Sequence, residues 1–209
     1  MKYENKGAKD PQGFDNIVKE VFAPIYPVIS EQIIEKTKLT HGKCLDAGCG
    51  TGALGRAFAK KTQMEIIFFD KSNEMIELSK QYVKEENLHD RSYFILGDIH
   101  HIPCENQTFD LVISRGSTPF WDDWGKAYEE IFRVLKQGGQ AYIGGGFGNK
   151  ELSKEIKETM QKRDSEWKNS FKDRLQSKKE ILPQIMENLN ITNYEIIDNE
   201  SGFWLYFVK

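Results

Sequence analysis

The stretch Lys43 to Gly52, Lys-Cys-Leu-Asp-Ala-Gly-Cys-Gly-Thr-Gly, constrains this chain more than any other. A short apolar run, Cys44-Leu45, ends in the acid Asp46 and then in glycines at alternate positions, Gly48, Gly50 and Gly52, with a helical pattern beginning at once. Glycines let the backbone turn sharply and come within contact distance of a ligand, and the helix that follows points its free amides at the same place. This is the pattern of a nucleotide-binding loop between a strand and a helix. Taken alone, the glycines leave the ligand open. Gly50-Thr-Gly52-Ala-Leu-Gly55 satisfies the dinucleotide pattern Gly-x-Gly-x-x-Gly, and Asp70 follows Gly50 by about 20 residues. Asp46 argues the other way, because a carboxylate just before the glycines suits an ammonium and its waters but sits badly beside a pyrophosphate.

From residue 43 to 146 apolar strands alternate with amphipathic stretches, the pattern of a parallel sheet with helices on both faces. Strands are expected at 43–47, 65–70, 92–96, 109–114 and 140–145, and helices near 52–61, 72–87 and 121–136. Ser72 is a cap candidate for the second helix, which carries Met75, Leu78 and Val83 inward. Gly97 to Thr108 is too short and polar for a crossover helix and is expected to be a loop. Farther on, Leu152, Ile156, Met160, Trp167, Phe171 and Leu175 recur at helical spacing among many Lys, Glu, Arg and Gln residues, which predicts one or two amphipathic helices over 150–180. A helix over 181–189 and a hairpin of 194–197 with 203–208, turning at Asp198-Asn-Glu-Ser-Gly202, would close the sheet. Ahead of the glycine loop, Phe14, Ile17, Val18, Val21, Phe22 and Ile25 form an apolar helical stripe that Pro24 and Pro27 interrupt. A chain of 209 residues fits one α/β domain, with 1–40 as a helical cover, 41–146 as the cofactor-binding core, 147–180 as a helical cap and 181–209 as a helix and closing hairpin. Residues 14–30 and 147–180 are expected to cover the substrate side as a lid.

Two further strands end in acids. Ile66-Ile-Phe-Phe-Asp70 places a carboxylate where it can accept both hydroxyls of a ribose, the alternative being a cap for the helix that opens at Ser72. Phe94-Ile-Leu-Gly-Asp98-Ile99 has the same form, with a turn aspartate as its plainer reading. Phe109-Asp-Leu-Val-Ile-Ser114 and Arg133-Val-Leu-Lys-Gln-Gly-Gly139 follow, and a helix stop explains the last glycines. Asp-x-Gly-x-Gly-x-Gly with these segments in this order resembles the motif series of class I S-adenosylmethionine-dependent methyltransferases, over roughly residues 43–145. The resemblance implies an α/β fold: a doubly wound, mostly parallel seven-stranded sheet with an antiparallel edge strand, helices on both faces, and N-terminal and inserted cap helices. It implies S-adenosyl-L-methionine as cofactor, with Asp70 on the ribose, Asp98 on the adenine amine and Ile99 against the ring. The cofactor-binding set it implies is Tyr26, Asp46, Gly48, Cys49, Gly50, Gly52, Asp70, Lys71, Met75, Asp98, Ile99 and Ser114. Tyr26, between two prolines, is equally well explained as core.

After Ser114 comes Arg115-Gly-Ser-Thr-Pro-Phe-Trp121, where enzymes of this class that methylate base or glutamine amines carry Asn/Asp-Pro-Pro-Tyr/Phe. The departure points away from such amines. Arg115 and Trp121 are the candidate substrate-binding residues, Arg115 holding a carboxylate or phosphate in bidentate fashion unless it pairs with Asp122 or Asp123. The catalytic candidates are Arg115, His100 and His101, with solvent exposure the plain reading of the histidines. A net charge of −3 supplies no attraction for nucleic acid. Cys44, Cys49 and Cys104 resemble neither a disulfide framework nor a zinc site, and no metal is expected. No run approaches a membrane span and Met-Lys-Tyr-Glu-Asn-Lys is too polar for a signal peptide, so a cytoplasmic protein without a membrane partner is expected. The expected reaction is methyl transfer to a small-molecule acceptor by direct displacement, where alignment and exclusion of water matter most. The rivals are a nicotinamide-dependent oxidoreductase and a cofactor-binding regulatory protein that catalyses nothing. The acceptor and the oligomeric state are not legible in the sequence.

Overall fold

Each unit of the chain is started by a local signal. In the computed structural model, which describes residues 10–165, 179–200 and 202–209, Asp10 caps α1 (Pro11–Ile17) by accepting the Gly13 amide. The residues 1–6 read above, the expected helical positions Trp167, Phe171 and Leu175, and Ser201 of the hairpin turn lie outside the described residues. A π-helical turn, Val18–Phe22, leads into α2 (Ile25–Thr37). Pro24 sits at the start of α2 and Pro27 in its first turn, so Pro27 interrupts nothing: an amide there has no partner within the helix to lose. β1 (Lys43–Ala47), α3 (Ala53–Lys61), β2 (Glu65–Asp70) and α4 (Asn73–Glu85) follow. The Ser72 hydroxyl caps α4 through the Met75 amide at 3.3 Å, a contact of about 1 kcal/mol by type. β3 (Ser92–Leu96) is half exposed, as an edge strand is, whereas β4 (Phe109–Arg115) is buried on both faces over its apolar centre, Leu111 to Ile113. Asp123 caps α5 (Trp124–Val134), β5 (Leu135–Gly146) comes next, and Asn149 caps α6 (Lys150–Arg163). The chain ends with α7 (Leu182–Asn188), β6 (Tyr194–Asn199) and β7 (Gly202–Val208).

The strands form one seven-stranded sheet in the order β3-β2-β1-β4-β5-β7-β6. β1 to β5 pair in parallel, and β7 runs antiparallel to both β5 and β6, so the antiparallel strand lies one place inside the edge. On one face Trp121, α5 (Trp124, Tyr128, Ile131) and α7 (Leu182, Ile185) pack against Leu45, Val112 and Leu205. On the other, α2 (Ile25, Ile29, Ile33), α3 and α6 (Ile156, Met160) cover Cys44, Phe68, Ile113 and Trp204. The order reverses between β1 and β4, and that switch point opens a crevice beyond their carboxyl ends.

One boundary differs from the sequence expectation. α5 stops at Val134 and β5 begins at Leu135, so Gly138 and Gly139 lie inside a strand rather than between a helix and a strand. The ladder jumps from Phe109↔Leu135 to Leu111↔Gln140, and Gly138 takes φ +73° while its amide reaches the Lys209 carbonyl at 2.9 Å. The glycines therefore make a bulge that docks the end of the chain. The segment 97–108 is a loop, as expected, pinned where Arg133 donates to the Ile102 and Cys104 carbonyls, both at 2.8 Å.

Candidate active site

The glycine loop is closed onto the ends of β1 and β2 by its own amides. Gly48, Gly50 and Gly52 have φ of +71°, +53° and +75°, a left-handed backbone that side chains resist. A Cβ at Gly48 would collide with Ser117, and one at Gly52 with the Ser79 hydroxyl. The Gly48 and Cys49 amides both donate to the Phe69 carbonyl, at 2.8 and 2.9 Å, and the Gly50 amide to Asp70 Oδ2 at 2.8 Å. Asp46 lies beneath the loop, 1% exposed, its Oδ2 accepting the Gly55 amide at 3.0 Å. Burial pushes its carboxyl up to about 7, the Gly55 bond opposing and the Asp70 charge adding to the rise. Thus the amides of Gly48, Cys49, Gly50, Gly52 and Gly55 are all bonded within the protein, Gly52 to the Cys49 carbonyl. A diphosphate needs such amides free. These five are already taken.

Asp70 performs two tasks besides the ribose role expected of it. Oδ2 holds Gly50, and Oδ1 accepts the Ser72 amide at 2.9 Å, so the helix-start role weighed against the ribose is present. The carboxylate stays partly exposed, and each oxygen keeps a second lone pair for a ligand. Asp98 is exposed at the end of β3 and Ile99 is buried beside it. The His100 amide, together with its ring and nearby Lys71, holds the Asp98 carboxyl below its ordinary range. The His100 ring is engaged on both sides. Nδ1 faces Asp98 Oδ1, and the Asp123 amide lies 3.2 Å from Nε2. Neither nitrogen is left to act as a base. His101 is exposed.

Several other expected contacts are with buried side chains. Met75 is 5% exposed within α4, and Trp121 is 5% exposed, edge-on to Tyr128 in the core. Ser114 is fully buried, its hydroxyl bonding the Ala47 carbonyl at 2.6 Å and Ser117 Oγ at 2.6 Å, and so locks β4 to the start of the glycine loop. Lys71 is exposed, and the Cys49 thiol is pushed well above its ordinary range, chiefly by burial.

Arg115 closes β4 and is partly exposed. Its Nε and Nη2 donate to the Gly146 carbonyl at 3.2 and 3.0 Å, and its guanidinium lies 5.1, 5.7 and 5.6 Å from the ring centres of Phe22, Tyr26 and Phe147. Among the described residues no ion pair reaches it, and Asp123 instead accepts the Lys126 amide at 3.0 Å. Tyr26 is 7% exposed and directed at Arg115. The sequence reading missed Phe22, Phe147 and Ser117 as parts of this site. Phe147 stands one residue past β5, where the crevice rule would have looked; Phe22 is one of many apolar residues in its helix, and nothing local marks it. Also missed was Phe14, 3.6 Å from a Cβ built on Gly50.

These residues fit S-adenosylmethionine: the loop admits close approach, no side chain caps α3 at Gly52, and acids stand at the ends of β2 and β3. Among the described residues no cluster of metal ligands occurs, and no helix is long and apolar enough to cross a membrane. The methyltransferase domain family matches residues 44–139. A solved structure from Methanococcus maripaludis, described as a candidate S-adenosyl-L-methionine-dependent methyltransferase, is 42% identical with a TM-score of 0.91, covering 100% of this chain and 94% of that one. The demethylmenaquinone methyltransferase of Lactiplantibacillus plantarum is 38% identical over 101 residues, 47% of this chain and 43% of its own length. The sterol 24-C-methyltransferase of Schizosaccharomyces pombe is 34% identical over 97 residues, 46% of this chain and 26% of its own. The chain thus spans between a quarter and a half of these two relatives. Motif order, sheet order and the match along the whole chain converge: it belongs to the class I S-adenosyl-L-methionine-dependent methyltransferases.

Proposed function

We propose that this protein transfers a methyl group from S-adenosyl-L-methionine to a small-molecule acceptor. The observation that carries the reading is the glycine loop folded between Asp46 and Asp70, with its amides turned inward, at the switch point of the sheet. When bound, the cofactor supplies a methyl group on a sulfonium, a leaving group that needs no acid to depart. The chain's part is then to hold and align. Asp70 would accept the ribose hydroxyls with the lone pairs left by Gly50 and Ser72, and Asp98 with Ile99 would bracket the adenine. Gly48, Cys49, Gly50 and Gly52 would present backbone to the methionyl end, with Tyr26, Lys71, Met75 and Ser114 lining or bracing the site. Alignment of this kind contributes on the order of 7–11 kcal/mol. With both His100 ring nitrogens engaged and His101 in solvent, an acceptor that needs no strong base is favoured.

The two named relatives act on a quinone precursor and a sterol, which supports a small acceptor here. The charge of −3 supports a substrate other than nucleic acid, and we read the protein as cytoplasmic. We read residues 1–209 as one methyltransferase domain divided at about 40, 146 and 180 as above. The test is to incubate the purified protein with S-adenosylmethionine and a panel of thiols, carboxylic acids, phenols and amines, and to measure S-adenosylhomocysteine. Release with at least one acceptor is expected. No release across the panel, together with no binding of S-adenosylhomocysteine, would overturn the reading.

A further inference from the structure

We infer that the acceptor is a small apolar molecule bearing a carboxylate or a phosphate, and that Arg115 selects it; this deepens the methyl-transfer reading and rests on it. Arg115 closes the central strand β4 beside β1, so its head stands at the crevice the glycine loop opens onto. Its positive charge is partly shielded from water, which pulls its pKa down, and no carboxylate pairs with it among the described residues. The three rings around it offset only part of the loss. Cation–π contacts are weaker than the cost of taking a charge out of water. Two N–H groups go to the Gly146 carbonyl and the Tyr26 hydroxyl takes a further one, leaving the remainder of the guanidinium's five for a ligand.

A second donor stands on the same row of the sheet. Arg115 pairs with Gly144 and Gly144 with Trp204, and residues paired across a sheet project to the same face. Gly144 puts no side chain between them. Trp204 is fully buried, and its indole N–H has no acceptor. A cation without an anion and a buried donor without an acceptor, on a row free of carboxylates, are complementary to an oxyanion. Phe22 and Phe147 beside Arg115 give the apolar wall for the rest of the acceptor.

The test measures binding to the S-adenosylhomocysteine-loaded protein, by calorimetry or ligand-observed NMR, of benzoate and phenyl phosphate against the neutral benzamide. Wild type should bind at least one of the anions tenfold or more tightly than benzamide. Arg115→Gln should bring that ratio within about twofold, and Arg115→Lys, which keeps the charge and loses the fork, should fall between. Equal binding of anions and benzamide by wild type would overturn the proposal, a comparison that needs no variant to fold. So would a preference that survives in Arg115→Gln. S-adenosylhomocysteine affinity should change by less than threefold in Arg115→Gln; a loss of tenfold or more would mean that Arg115 holds the methionyl carboxylate of the cofactor, and the acceptor assignment would fall while the methyltransferase reading stood.

Discussion

A carboxyl that ionises near pH 7 beneath a closed glycine loop ties the stability of that loop to pH. The folded protein holds the Asp46 proton up to about pH 7, whereas the unfolded chain releases it near 3.8. Stability from this group is therefore fully present below about pH 4 and lost as pH rises through 7, by on the order of 2–4 kcal/mol. Asp46→Asn keeps an oxygen for the Gly55 amide and removes the titration. Urea unfolding at pH 5 and pH 8 should show the variant losing less stability than wild type between the two, by roughly that amount. An identical pH dependence would clear Asp46 of the role. The sequence singled out Asp46 because it directly precedes the glycines and Asp70 because it ends the next strand. It did not show that both carboxylates bind the loop's own amides, because that depends on how β1 and β2 lie side by side.

At the level of elements, the N-terminal helix is held by a buried polar contact rather than by its apolar stripe alone. Asp15 on α1 is fully buried, accepts the Tyr82 hydroxyl of α4 at 2.6 Å and pairs with Lys19 at 2.8 Å, while its Oδ1 has no partner. Phe14 beside it packs toward Gly50, so the same helix covers the glycine loop. By contrast, Arg163 of α6 reaches Glu20 at the surface, a kind of pair that contributes 0–1 kcal/mol. Tyr82→Phe removes a donor from a buried carboxylate and should cost about 1–3 kcal/mol. Hydrogen exchange should quicken in residues 11–22 first, with strand β4 unchanged; uniform quickening would mean that the contact serves the whole fold and not the cover. Nothing in the sequence singled out Asp15, a lone acid in an apolar stripe. The strands and helices of 43–146 were legible because each is announced by its own run, cap or glycine. The β5 bulge was not, because Gly138 and Gly139 answer to Lys209 at the far end of the chain. The cage around Arg115 was hidden for the same reason, being assembled from α2, its preceding turn, β4 and the residue after β5.

For the molecule as a whole, the rival ligand is a nicotinamide dinucleotide, and the Gly50–Gly55 pattern alone could not dismiss it. A dinucleotide loop gives its amides to phosphate oxygens, and here Asp70 holds the Gly50 amide, Asp46 the Gly55 amide and the Phe69 carbonyl both Gly48 and Cys49. A diphosphate held by these amides would break those bonds and set two phosphate charges beside two carboxyl groups, each step unfavourable. S-adenosylhomocysteine carries no phosphate and demands neither. A ligand at a hundred times its dissociation constant adds about 2.7 kcal/mol to stability, and for a chain of this size that amounts to a rise in Tm of about 5–10 °C. S-adenosylhomocysteine should produce such a rise in a thermal-unfolding scan, and NAD at the same concentration should produce none. A rise with NAD equal to that with S-adenosylhomocysteine would show that the loop opens to release its amides, and the assignment of the site to a phosphate-free cofactor would fail.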